Sequence, residues 1–277
     1  MLVAHGSTVN SQSSAPTRRL ADELRGRGEF AQVVAAFNLE SPRIGEVLDT
    51  LDASRVFVVP ITISEGHFTE ETIPRLLGLS RPQAGTDTTT ASSYPRVQTL
   101  KGRRVHYCHP VGTHPSMTDV LLGRAREVVN GHGALPAATP DRTALFIAGH
   151  GTTKNSRSRE SIEAQVTLIE QRGEYAEVHA VFMEEHPFIK DCLGMSSQPH
   201  LVVVPFFIAD GLHTVEDIPV LLGESAGDVA QRLADGQPTW RNPTMRNSQW
   251  VWYAHAIGDE PHLPEVILQR VREMAQA

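Results

Sequence analysis

Residues 202–223, "VVVPFFIADGLHTVEDIPVLLG", restate residues 56–78, "VFVVPITISEGHFTEETIPRLLG". A shift of 145 residues carries His5 onto His150, Pro60 onto Pro205, Gly66 onto Gly211 and Pro74 onto Pro219 with no gap. The same shift lays "AHGSTVNSQS" on "GHGTTKNSRS" and "RGEFAQVVAAFNLESP" on "RGEYAEVHAVFMEEHP". After a variable stretch the match returns one residue out of step, with "YCHPVGTHPSMTDVLLGRAREVV" from Tyr107 falling on "YAHAIGDEPHLPEVILQRVREMA" from Tyr253. A repeat of this length is a duplicated domain, not a solenoid unit of a few dozen residues. It divides the chain into a first half, 1–130, a Gly-, Pro- and Ala-rich linker, 131–142, and a second half, 143–277. The copies differ at one telling place. The histidine follows Gly211 by two residues (His213) but follows Gly66 by one (His67).

Each half alternates strand and helix patterns. In the second half "ALFIA", "VHAVF", "LVVVPFF" and "WVWYAHAI" are apolar β-type runs. Between and after them come "RESIEAQVTLIEQRG", "HPFIKDCLGM", "TVEDIPVLLG" and "LPEVILQRVREMA", which carry helical periodicity and Gly stops. Near-continuous apolar strands separated by helices specify an α/β fold with an open parallel sheet covered on both faces. Right-handed crossovers then make each half doubly wound. The stretch from "GTDTTTASSYP" to Arg104 reads as an exposed loop, and its counterpart, from Gly227 to Gln249, as a helix followed by a loop.

Ligands of such sheets sit at the carboxyl ends of the strands. His5 and His150 end first strands, "FNLE" and "FMEE" end second strands, and both Gly-His segments follow third strands. His150, Glu184 and His213 therefore gather on one rim. Two imidazoles and a carboxylate suit a borderline divalent metal. They also serve as bases near neutral pH. The plainer role for any one of them is a hydrogen-bonded cap at a strand end.

The first half is partly out of register. Leu39 stands in the place of Glu184 with Glu40 beside it, and Phe68 in the place of His213 with His67 beside it. A one-residue shift along a strand turns a side chain to the opposite face. Chemistry is therefore expected in the second half, with His5, Glu40 and His67 as a reserve set. After His150, "GHGTTKNSRSRES" offers backbone N–H groups that can receive an anion, or a simple helix cap at Ser156 or Ser158. Lys154, Arg157 and Arg159 either meet carboxylates or solvate a helix face.

Other classes fit poorly. A net charge of −7 argues against nucleic acid or an acidic membrane as partner. No apolar run spans a bilayer, and no secretory leader opens the sequence. The opening "MLVA" is shorter than its twin "RTALFIA", which points to a late or trimmed start. Two lone cysteines, Cys108 and Cys192, form no CxxC pair, which suits a reduced, cytoplasmic setting. "GESAG", Gly223 to Gly227, matches a serine-hydrolase elbow, with Asp259 and His262 downstream. That elbow must join a strand to a helix, and here "DIPVLLG" reads as a helix. Phosphoryl-transfer histidines normally follow an arginine, whereas Ala4 and Gly149 precede these.

Taken in order, "VAHGS" and "IAGHGT", "FME", "VVVPFFIADGLHTVEDIP" and "VGTHPSMTDVLLGRA" resemble the class II tetrapyrrole chelatases, specifically the CbiX-type sirohydrochlorin chelatases. The resemblance covers both halves outside the two variable stretches. It implies a chelatase-like fold of two α/β halves facing a shared cleft. It implies ATP-independent insertion of Co²⁺ or Fe²⁺ into sirohydrochlorin, on the route to cobalamin or siroheme. The metal is then a substrate, and no cofactor is permanently bound. Carried over, the metal- and proton-handling residues are His150, Glu184 and His213. The candidates for docking the carboxylate-rich substrate are Ser7, Thr152, Thr153, Lys154, Asn155 and Arg157, with Arg18 and Arg19 as further cations. The protein would act as a monomer or homodimer. The rival reading is a carrier of tetrapyrrole or metal that kept the fold without turnover.

Overall fold

The computed structural model describes residues 1–8, 10–81, 94–132, 138–152 and 156–276. In chain order the first repeat contains β1 (Leu2–Ala4), α1 (Ala15–Gly26), β2 (Ala35–Phe37), α2 (Ile44–Thr50), β3 (Arg55–Pro60), α3 (Ile73–Leu77), β4 (Val97–Leu100), β5 (Arg103–Tyr107) and α4 (Met117–Asn130). The second contains β6 (Thr143–Gly149), α5 (Arg157–Arg172), β7 (Glu177–Phe182), α6 (Cys192–Met195), β8 (His200–Pro205), α7 (Ile218–Leu221), α8 (Ala226–Ala234), β9 (Thr244–Arg246), β10 (Gln249–Tyr253) and α9 (Leu263–Gln276).

Two five-stranded sheets result, in the orders β2-β1-β3-β5-β4 and β7-β6-β8-β10-β9. Four strands of each run parallel, as the apolar runs predict, and the edge strand is antiparallel. The central β6 is buried along its whole length, because helices cover both of its faces. Short polar edge strands replace parts of the expected loops at 97–104 and 244–249. Each is made by a two-residue turn with both φ angles positive: Lys101 and Gly102 at 48° and 76°, Asn247 and Ser248 at 45° and 63°. Turns of that hand match the strand twist and close a hairpin. The low apolarity of "VQTL" and "TMR" hides the strands from a reading based on hydrophobic periodicity.

The chain forms two compact units whose boundaries differ from those of the repeat. One comprises Met1–His114 with Pro264–Ala277, the other Pro115–Leu263. Helix α4, which ends the first repeat, packs on β8, β10 and α5 of the second unit. Helix α9, which ends the second repeat, packs in the first unit. There His106 Nδ1 lies 2.8 Å from Met274 O, and Arg270 Nε donates to Pro110 O at 3.1 Å. Each repeat thus gives its closing helix to the other repeat's sheet.

Candidate functional site

Past β6 and β7 the backbone pairing continues for a few residues. Met183 N–H donates to Gly149 O at 3.0 Å, and Glu184 N–H to His150 O at 3.1 Å. This ladder sets His150 beside Glu184, with Nε2 3.7 Å from Oε1. Side chains alternate along an extended chain. Met183 packs inward on the core, Glu184 points outward with 56% of its side chain exposed, and Glu185 turns inward with 18% exposed.

His213 arrives by a different device. It opens a π-helical turn, His213–Asp217, in which Ile218 N–H reaches back five residues to His213 O. Pro219 follows at once and has no N–H to give, so the ordinary α ladder is interrupted there. Gly211 N–H donates to Thr214 Oγ1 at 2.9 Å, and the Tyr253 hydroxyl donates to Thr214 O at 2.7 Å, fixing the turn to β10. The His213 ring then meets that of His150 edge-on, with centroids 4.9 Å apart and planes at 77°.

The hydrogen bonds also set the tautomers. His150 Nδ1 lies 2.7 Å from Gly151 O, and His213 Nδ1 lies 2.7 Å from Asp217 Oδ2. A carbonyl and a carboxylate can only accept, so both Nδ1 atoms carry hydrogen. Each Nε2 thus points away from the oxygen that holds its ring, and histidines that ligate metals commonly have such an oxygen partner behind them. All three side chains are partly open to solvent. Among the described residues, no group of three or more His, Cys, Asp and Glu side chains is drawn close enough to hold an ion as it stands.

The loop after His150 differs from the sequence-based expectation. Its Thr152 N–H does not wait for an external anion but donates to Glu185 Oε1 at 3.0 Å. Arg159 Nε donates to Glu185 Oε2 at 3.0 Å, and its guanidinium lies over the Phe182 ring at 4.4 Å. The first unit repeats this clamp. Ser7 N–H donates to Glu40 Oε1 at 3.0 Å, Arg18 to Glu40 Oε2 at 3.1 Å, and Arg18 lies over Phe37 at 4.5 Å. The protein's own carboxylates take the place expected for a substrate group at Ser7 and Thr152. Arg157, at the start of α5, and Arg19, on α1, are exposed. Thr153, Lys154 and Asn155 lie outside the described residues.

Glu40 is therefore the counterpart of Glu185, and the reserve set does not assemble as expected. In the outward position of Glu184 stands Leu39, 43% exposed. Phe68, not His67, lies on His5. His67 is exposed, with Nδ1 3.4 Å from Thr72 Oγ1.

Two further pairs at strand ends escaped the sequence reading. Asp210 Oδ2 lies 3.3 Å from His255 Nδ1, and in the first unit Glu65 Oε1 lies 2.9 Å from His109 Nδ1. Both copies carry the pair, and the realignment of "YCHPVG" with "YAHAIG" was the available signal. The hydrogen bond that His255 donates to Asp210 raises the His255 pKa against partial desolvation. Desolvation pushes Asp210 up, but bonds from His255 and from Ala256 N–H outweigh it and hold Asp210 below its ordinary value. The hydrolase-like motif resolves as a cap, with the Ser225 hydroxyl accepting from Asp228 N–H at 3.1 Å at the start of α8. Cys108 and Cys192 are buried, and burial pushes the Cys108 thiol up to about 12. No helix among the described residues is long and apolar enough to cross a membrane.

The CbiX family model matches residues 1–128 and again residues 144–274. The chain belongs to the CbiX family. It is 37% identical over 276 residues to a protein of Halobacterium salinarum named probable sirohydrochlorin cobaltochelatase, covering 99% of this chain and 90% of that one. The sirohydrochlorin cobaltochelatase of Methanopyrus kandleri is 29% identical over 137 residues, which are 47% of this chain and 95% of that one. The latter CbiX relative thus has the length of a single repeat. A Deinococcus radiodurans protein, described as multi-domain with structural similarity to chelatases, superposes with a TM-score of 0.72 at 28% identity. That match covers 97% of this chain, which spans 54% of the longer one.

Proposed function

We propose that this CbiX-family chain inserts a divalent metal, Co²⁺ or Fe²⁺, into sirohydrochlorin, with His150, Glu184 and His213 handling the ion and the pyrrole protons. The observation that carries the assignment is the pairing of His150 with His213. Two imidazoles meet at one rim, each with Nδ1–H spent on an oxygen and each with an Nε2 lone pair to give. Glu184 adds a carboxylate beside His150.

The chemistry follows from the balance of the reaction. A divalent ion enters the ring, two pyrrole N–H protons leave, and the ion exchanges water and protein donors for four ring nitrogens. Neutral imidazoles bind such an ion without adding charge, and a partly open donor set releases it again. A closed thiolate site would hold it. The Glu184 carboxylate can share the ion or accept a pyrrole proton as the ion departs. A cleft that favours a bent macrocycle exposes the nitrogen lone pairs and so resembles the transition state more than the flat substrate.

The test is anaerobic metallation of sirohydrochlorin with Co²⁺ and with Fe²⁺, followed by absorbance. His213→Ala is expected to lower kcat by on the order of 100-fold. A wild-type rate in that variant refutes the residue assignment. The ratio of the Co²⁺ and Fe²⁺ rates selects between the two metals.

A further inference from the structure

A cavity of about 480 Å³ opens in the second unit beside the ends of β8 and β10. Thr214 and Asp210 line it, so it shares a wall with the turn that carries His213. Trp240 and Tyr253 form its floor but are buried in the core, 4% and 7% exposed.

The charges in this lining are unevenly matched. Glu127 is paired with Arg124 at 2.6 Å. Asp210 is paired with His255 and accepts Ala256 N–H at 3.0 Å. The guanidinium of Arg241 has no hydrogen bond or ion pair among the described residues. Arg124 is further shared with Asp259, so Arg241 is the arginine of this lining that has no carboxylate partner among the described residues, and His255, whose Nδ1 faces Asp210, has its other ring nitrogen to offer. Trp240 and Arg241 come from the stretch in which the two repeats do not realign.

We propose that the cavity is a substrate-discriminating subsite that seats one pyrrole edge of the macrocycle, with a carboxylate arm of that edge on Arg241 and His255. The inference rests on the reading given under Proposed function and extends it to recognition. The volume lies toward the low end of the ~300–1,000 Å³ typical of small-molecule sites, so it admits a substituted pyrrole rather than a whole tetrapyrrole. A planar guanidinium suits a carboxylate in bidentate fashion. A ligand edge held here is also held against the His213 turn, through Thr214.

The experiment uses full-length protein, sirohydrochlorin and Co²⁺ under anaerobic conditions, with Arg241→Ala, Arg241→Lys and His255→Gln. Both positions are solvent-exposed, so folding is expected to survive and is checked by melting. Loss of one charge-assisted hydrogen bond is expected to raise KM for sirohydrochlorin about tenfold. KM for Co²⁺ is expected to stay within about twofold, and Arg241→Lys to recover part of the loss. Direct titration of metal-free sirohydrochlorin should show weaker binding to Arg241→Ala with a smaller dependence on salt. If the wild type metallates sirohydrochlorin and the variants keep its KM and affinity, the subsite is refuted while the function stands. If wild-type protein neither binds nor metallates sirohydrochlorin, the function falls and the subsite falls with it.

Discussion

The His5 imidazole lies flat on the Phe68 ring, with centroids 3.6 Å apart and planes 22° from parallel. The corresponding pair in the second unit is His150 and His213, which meet edge-on. Duplication has left one strand-end histidine beside a second imidazole and packed the other against a phenyl ring. Desolvation lowers the pKa of His5, although part of its ring still meets solvent. The unfolded chain then binds the His5 proton more readily than the folded one. The contribution is complete above the ordinary histidine value of about 6.5 and is lost as pH falls through the lower folded value. Thermal melting across this range should show stability declining on acidification, with a shallower decline in His5→Phe. An NMR titration of His5 with a midpoint at the ordinary value contradicts this account.

Asp217 holds His213 by its Nδ1–H and sits half-exposed one helical turn away. Asp217→Ala removes the oxygen that fixes ring and tautomer while leaving the imidazole in place. Losing such a partner behind a ligand costs roughly 10–100-fold in metal affinity. Co²⁺ titration should show weakening of that size with little change in melting temperature. Unchanged affinity means that His213 does not bind through Nε2.

The architecture was legible in the sequence because β6 and β8 are buried on both faces and so read as unbroken apolar runs. The edge strands β4 and β9 were not, because partly exposed polar strands carry neither that run nor a clean alternation. At the site, register decided the outcome. Glu184 and Glu185 are adjacent and chemically alike, and only the strand's alternation sends one to solvent and the other to Arg159. The sequence placed Glu40 next to Leu39 but could not show that Arg18 and Ser7 had already claimed it. The exchange of α4 and α9 between sheets lies beyond any local pattern, since either helix offers an apolar face to either sheet.

Gly151 and Gly173 both have positive φ, 69° and 64°, but only Gly151 is crowded. A Cβ at Gly151 would lie 2.8 Å from the Glu185 side chain and 2.9 Å from Phe182 Cβ, whereas nothing lies within 4 Å at Gly173. Gly173→Ala should cost about 1 kcal/mol, the conformational penalty alone. Gly151→Ala should cost at least about 2 kcal/mol, because it also dislodges the Glu185 clamp. Denaturant melts of the two variants check the difference, and equal costs contradict the crowding at Gly151.

Tyrosines hold the π-helical turn in each unit: Tyr253 donates to Thr214 O at 2.7 Å, and Tyr107 donates to Thr69 O. Both hydroxyls are buried, and burial raises both pKa values. The same substitution, Tyr→Phe, therefore removes the same bond from each repeat, and each should lower stability by about 1–2 kcal/mol. The consequences for activity should diverge. Tyr253 steadies the turn that begins with His213, whereas Tyr107 steadies the one that begins with Phe68. Tyr253→Phe is expected to lower kcat for metallation several-fold, since misplacement of a reacting group is costly in rate. Tyr107→Phe should leave kcat within about twofold, as expected where no reacting group is moved. Melting curves and steady-state rates on the two variants make the comparison. An equal loss of rate in both places chemistry in the first unit as well.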